Sequence, residues 1–186
     1  RLGNLYALSA SPERYISKNG NTVISQPIKG TAKRLIDKME DEKLRLQLEN
    51  DQKERSENIM ITDLVRNDLS KFANKGSVKV DELCKIYSFE QVHQMISTIT
   101  CQVDNSLSPV YMIRETFPMG SMTGAPKIRA MELIAKYEQL KRSFYSGSIA
   151  YFGFDGNMDS AITIRTTLIK DNEIIFQAGA GVVADS

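Results

Sequence analysis

Asn19-Gly20 lies between two short runs of β-forming residues, 14–18 and 22–26. Both residues tolerate the left-handed backbone of a type I′ turn, so the dipeptide predicts a tight hairpin. That hairpin constrains everything after it, because the second strand runs directly into Pro27-Ile28-Lys29-Gly30-Thr31. Proline and glycine bounding so short a stretch predict a loop at the end of a sheet, with Lys29 inside it. Such loops carry sites because the sheet holds them in place. A lysine there acts as nucleophile or base only where its surroundings favour the neutral amine, and is otherwise a solvated loop residue.

Beyond the hairpin, a strand is expected over 5–9, a charged helical stretch over 32–50 and a second helix over 51–72. In the second helix Glu57, Ile61, Leu64 and Asp68 recur at helical spacing and share one face, with Glu54 one turn earlier on nearly the same side. Two carboxylates therefore approach whatever that face covers, unless they are surface capping or ion-pairing glutamates. Gly76-Ser77-Val78-Lys79-Val80 ends the helix, and a strand over 87–101 carries His93 beside Val92, Met95 and Ile96. A histidine so placed fits a satisfied core residue or a catalytic one.

From Phe117 to Lys127 glycine and proline predict an irregular loop, followed by a helix over 126–137 that opens on Pro126. Free N–H groups at that helix start suit a substrate carboxylate. The last quarter reads as an antiparallel meander of strands over 147–154, 160–170 and 173–177, with turns at Asp155-Gly156 and Asp171-Asn172. Alternation places Ile162, Ile164 and Leu168 on one face and Arg165, with Thr163 and Thr167, on the other. Arg165 is then either a bidentate carboxylate ligand or an arginine on the wet side of the sheet. Gly179-Ala180-Gly181 allows backbone amides to approach a ligand closely.

Composition narrows the function classes. With 41% hydrophobic residues, 25% charged residues and a net charge of +1, the chain offers no electrostatic case for nucleic acid or a membrane surface, so a small partner is expected. No run is long enough to span a membrane and no signal pattern opens the chain, so a cytoplasmic location is expected. Cys84 and Cys101 lack the spacing of a zinc or redox site and are expected as reduced thiols. The single histidine excludes imidazole-rich metal sites, so any metal is held by oxygen. A hydrolase triad would also need His93, and no Gly-x-Ser-x-Gly elbow presents a serine to it.

Five motifs occur in order: Ser11-Pro12-Glu13-Arg14, Pro27-Ile28-Lys29-Gly30-Thr31, Glu54-Arg55-Ser56-Glu57-Asn58, Asp63-Leu64-Val65-Arg66-Asn67-Asp68 and Thr123-Gly124-Ala125-Pro126-Lys127. Together they resemble the chorismate-utilising enzymes, the family of anthranilate synthase, isochorismate synthase and aminodeoxychorismate synthase, across essentially all 186 residues. The resemblance implies an α+β fold of antiparallel sheets packed together with helices outside. It implies that Glu13 is the general acid that protonates the departing hydroxyl, and that Glu57, with Glu54 beside it, binds magnesium. Tyr145, Arg165, Gly179 and Gly181 are expected on the pyruvyl side of the substrate, and Ser121, His93, Gly30 and Thr31 on the ring side.

Lys29 selects the branch, since aminodeoxychorismate synthases typically carry lysine where the other branches usually carry alanine. The implied chemistry is attack of the Lys29 amine on the chorismate ring as the hydroxyl leaves, then displacement by ammonia at the neighbouring position. The product is 4-amino-4-deoxychorismate, the precursor of p-aminobenzoate and folate, and a separate glutamine amidotransferase subunit is expected to supply the ammonia. The family pattern continues past Ala184-Asp185-Ser186 into a helix with a second magnesium glutamate and a substrate lysine, and it includes an N-terminal subdomain before Arg1. The 186 residues are thus expected to be one chorismate-binding domain truncated at both ends, with weak or no turnover alone. The alternatives are anthranilate or isochorismate synthesis, or a non-catalytic module that binds ligand or the glutaminase.

Overall fold

The computed structural model describes residue 1 and residues 3–182; the closing Ala184-Asp185-Ser186 lies outside them. Strands β1 (Leu5–Ser9), β2 (Arg14–Asn19), β3 (Thr22–Gln26) and β4 (Ile28–Lys33) precede helices α1 (Lys38–Asn50) and α2 (Gln52–Ser70). Strands β5 (Lys79–Ser88) and β6 (Val92–Gln102) follow, then α3 (Pro109–Thr116) and α4 (Lys127–Tyr137). The order closes with β7 (Ser148–Phe152), β8 (Met158–Ile162), β9 (Thr166–Lys170) and β10 (Glu173–Phe176).

The hairpin forms, with Asn19 opposite Thr22. The turn residues are therefore Gly20-Asn21 rather than Asn19-Gly20, and Gly20 takes the positive φ of 57°. Beyond β3 the structure corrects the expected loop. The chain stays extended past Pro27, which lacks an N–H, and β4 continues along the same edge of β6 that β3 uses. Between the pairs Ile28↔Ile96 and Thr31↔Gln94, Lys29 and Gly30 together oppose Met95, which makes a β-bulge. Gly30 absorbs the bulge at φ 86°. A Cβ on it would lie 3.1 Å from Leu48 Cδ1 and 3.2 Å from Glu54 Cβ. Gly30→Ala is therefore expected to cost about 1–3 kcal/mol through backbone strain alone, measurable as a lower denaturant midpoint at unchanged slope.

Seven strands form one antiparallel sheet in the order β4-β6-β3-β2-β8-β7, with β5 on the other edge of β6. On one face of it Ile61, Val65 and Leu69 of α2 join Val23, Ile99 and Cys101 in the main core. The inward stripe of α2 runs through Asn58, Ile61, Thr62, Val65, Asp68 and Leu69. Glu57 and Leu64, expected at its centre, are half-buried at its flank. The charged stretch becomes helical only at Lys38, because Asp37 accepts hydrogen bonds from the Met39 and Glu40 amides and so caps α1.

The C-terminal meander is corrected as well. Residues 160–170 do not form one strand: β8 belongs to the large sheet, while β9 is the centre of a separate three-stranded sheet, β1-β9-β10. The chain turns between them, with Arg165 at φ 49°. The expected strand over 87–101 is likewise interrupted, by the turn that joins β5 to β6. Cys84 and Cys101 are buried free thiols, and burial pushes Cys101 up to about 11, which keeps it unreactive at neutral pH. No helix among the described residues is long and apolar enough to cross a membrane.

Candidate active site

The bulge on β4 lies between the entry to β2, which carries Glu13, and the first turns of α2, which carry Glu54 and Glu57. Glu13 is 6% exposed, and its Oε1 is buried without a hydrogen-bond partner among the described residues. Burial pushes its pKa above the usual glutamate range, against the opposing pull of the Ser121 hydroxyl, the Lys29 ammonium and the Ile28 backbone. A buried carboxyl that keeps its proton has the character of a general acid.

Glu54, like Glu13, lies near Lys29. Its pKa is also raised, by burial first and then by repulsion from Glu57 and Asp51, while Lys53 and Lys29 lower it. The start of α2 is fixed here in two ways: Asp51 caps it through the Glu54 amide at 3.0 Å, and Asn58 Nδ2 donates to the Met95 carbonyl at 3.2 Å. Met95, on β6, faces the Lys29–Gly30 bulge, so Asn58 ties α2 to the strand against which the lysine-bearing β4 is paired. Asn58 has no expected role from sequence, although it closes the Glu54–Asn58 motif.

A cavity of about 20 Å³, room for about one water, adjoins Glu13 and is also lined by Ser121, Gly120, Asp68 and Thr116. A larger open groove of about 570 Å³ reaches Glu13 from the outer face of the large sheet, past Ile28, Tyr87, Ile149 and Tyr151. Glu13, Lys29, Gly30, Glu54, Glu57 and Ser121 are thus brought together.

The remaining expected residues are placed differently. His93 is 1% exposed, and both of its ring nitrogens are engaged: Nδ1 with Ser88 Oγ at 2.8 Å and Nε2 with Asp41 Oδ1 at 3.1 Å. Asp41 in turn accepts the Leu35 amide and the Arg34 guanidinium; the Leu35 amide, His93 and Arg34 hold its carboxyl below the usual range against the effect of burial. His93 thus joins α1 to the β5–β6 turn and has no nitrogen left for substrate in this arrangement. Thr31 is exposed on β4. Tyr145 and Gly179 do meet, since a Cβ on Gly179 would lie 2.5 Å from Tyr145 Oη. Gly181 has open space around it. Arg165 is exposed in the β8–β9 connection, so the expected threonine-flanked position on a central strand is not observed. Helix α4 starts at Lys127, with Pro126 at its N-cap rather than its first turn, and Lys127 turns back to bond Asp68.

Comparison with known proteins identifies the family. The family model described as chorismate binding enzyme matches residues 1–186. The chain is 49% identical over 179 residues to aminodeoxychorismate synthase component 1 of Escherichia coli K12, covering 96% of this chain and 40% of the relative. It is 48% identical over 179 residues to anthranilate synthase component 1 of Bacillus subtilis 168, covering 96% of this chain and 35% of the relative. Among solved structures, anthranilate synthase component I from Streptococcus pneumoniae TIGR4 superposes with a TM-score of 0.87 at 36% identity, covering all of this chain and 40% of that one. The chain therefore spans well under half the length of the relatives it matches. Motif order, fold and these matches agree that the chain belongs to the chorismate-utilising enzyme family.

Proposed function

We propose that this chain carries the ring-reacting part of an aminodeoxychorismate synthase component 1, which converts chorismate and ammonia to 4-amino-4-deoxychorismate and water. Relatives named for amination and for anthranilate synthesis match almost equally, at 49% and 48% identity. The observation that carries the choice is Lys29 on the β4 bulge, with Glu13 and Glu54 both near it. Once its ammonium proton has passed to solvent, the Lys29 nitrogen lone pair forms a C–N bond to the ring, the diene electrons shift, and the C–O bond of the ring hydroxyl breaks. Glu13 gives its proton to the departing oxygen, which leaves as water, and the carboxylate then takes a proton from the alkylated Lys29 nitrogen. Ammonia next forms a C–N bond at the carbon that lost the hydroxyl and the diene electrons shift back; the carbon–Lys29 bond breaks as Glu13 returns the proton to the Lys29 nitrogen, and the carboxylate takes a proton from the new ammonium group.

Glu57 and Glu54 would hold magnesium. Their donor atoms are hard oxygens one helical turn apart, and the repulsion that raises Glu54 is what a cation relieves. No group of three or more His, Cys, Asp and Glu residues arranged to hold a metal occurs among the described residues, so these two would be only part of its ligand set. When bound, the ion supplies neutralisation of substrate carboxylate charge. Glu57→Gln is expected to raise the magnesium concentration for half-maximal activity at least about tenfold, the lower end of the cost of losing even an outer partner of a metal site. A glutamine amidotransferase partner would supply ammonia, and the setting would be cytoplasmic.

The test is mass spectrometry of products from the full-length protein containing this chain, incubated with chorismate, magnesium and an ammonium salt. Aminodeoxychorismate is expected. Anthranilate or isochorismate would move the chain to another branch, and chorismate binding without any product would favour a ligand-binding module.

A further inference from the structure

The Thr123–Lys127 and Asp63–Asp68 motifs each end on a charged residue to which the proposed chemistry gives no part. Asp68, on the inner face of α2, is 4% exposed, and its two oxygens are each taken by a lysine. Lys71 Nζ donates to Oδ1 at 2.9 Å and Lys127 Nζ to Oδ2 at 2.8 Å. Lys127 also donates to the Thr116 carbonyl at 2.7 Å.

Thr116 is the last residue of α3 and Lys127 the first of α4, so this bond joins the two ends of the intervening loop, 117–126, and seats both on α2. The Thr116 side chain extends the connection to β2, because its Oγ1 lies 2.6 Å from the Tyr15 hydroxyl, two residues along from Glu13. Within the loop Gly120 presses on Leu64 of α2, with room of only 3.0 Å between an added Cβ and Leu64 Cβ. Ser121, the next residue, lines the same small cavity as Glu13 and Asp68. Burial pushes the Lys127 ammonium pKa down while Asp68 raises it, so the charge depends on that partner.

We infer that Lys127 and Asp68 are positioning residues that close the 117–126 loop and hold Ser121 against Glu13. The inference rests on the reading of Glu13 as the acid in chorismate chemistry. Lys71 would still neutralise Asp68 when the lysine is replaced.

Lys127→Met, Ser121→Ala and the double variant, made in the full-length protein containing this chain, test it. The first two are each expected to lower kcat for chorismate about tenfold or more with KM changed less than about threefold, since misplacing an acid affects the transition state more than binding. The double variant is expected to be no slower than Lys127→Met alone, and Lys127→Arg to recover most of the loss. Hydrogen exchange supplies a readout independent of turnover: amides of 119–124 are expected to exchange at least about tenfold faster in Lys127→Met while those of β6 are unchanged. If Lys127→Met does not fold, Asp68→Asn, which weakens the same bond, is expected to give the same loop signature. Unchanged loop exchange, or additive losses of kcat, would overturn the inference. A wild type that leaves chorismate untouched would instead overturn the proposed function, and the exchange experiment would still decide whether the loop is held by Lys127.

Discussion

Lys29→Ala is expected to reduce formation of aminodeoxychorismate from chorismate and ammonia by at least about 10³-fold, the scale on which removal of a covalent nucleophile is felt. The substitution should leave the fold intact, because the bulge depends on the positive φ of Gly30 and on the pairing of its neighbours, not on the lysine side chain. Lys29→Arg should be as inactive as alanine, since a guanidinium does not give up its proton to attack carbon. Product quantification by mass spectrometry with excess ammonium salt checks both variants. Equal product from wild type and alanine variant would mean that ammonia adds directly and that the lysine only fills space.

Glu13→Gln is expected to cost about 10²–10⁴-fold in kcat, the usual worth of a positioned acid. The pH dependence carries a sign. Burial raises the Glu13 pKa, so the group keeps its proton to a higher pH than an ordinary glutamate, and activity that needs this proton falls as pH rises through the raised value. The glutamine variant should lose that descending limb. Stability follows the same linkage: the unfolded chain releases the Glu13 proton from about pH 4.3 upward while the folded chain retains it, so the folded state loses stability as pH rises between the two pKa values. At neutral pH Glu13→Gln should therefore melt no lower than wild type, and the gap in melting temperature should close towards acid. A variant that is less stable than wild type at neutral pH, with a deficit that disappears towards acid, would show that the carboxylate is held ionised.

Much of this arrangement is legible in local sequence. The hairpin forms because Gly20 admits the turn, and α2 forms because its apolar positions recur at helical spacing between an Asp51 cap and the Gly76 break. The failures share a cause, which is that tertiary pairing overrides local punctuation. Pro27 and Gly30 read as loop residues, yet the free edge of β6 accepts them as a bulged strand. The alternation from Ser160 to Lys170 looks unbroken, but a change of sheet needs a bend, and Arg165 makes it with a left-handed backbone that nothing in an Ile-Arg-Thr run announces. Helix α3 is too short for its periodicity to be seen before the fold places Met112 in the core.

Site residues divide in the same way. Glu13, Lys29, Glu54, Glu57 and Ser121 are drawn together, whereas His93 lies on a strand whose inward side is covered by α1 and finds its partners in Asp41 and Ser88. Asp41 is 52 residues away in sequence, and no spacing rule links the two. Asn58 and Lys127 sit inside motifs, yet their roles emerge only when Met95 and Asp68 are seen opposite them.

The most direct test is intact-protein mass spectrometry of the full-length protein after incubation with chorismate and magnesium in the absence of ammonia, followed by peptide mapping. A covalent lysine predicts added mass equal to chorismate less one water, located on Lys29, present in Glu57-intact protein and absent from Lys29→Ala. Chorismate consumed by the wild type upon later addition of ammonia, with no adduct at any time and no dependence on Lys29, would contradict it.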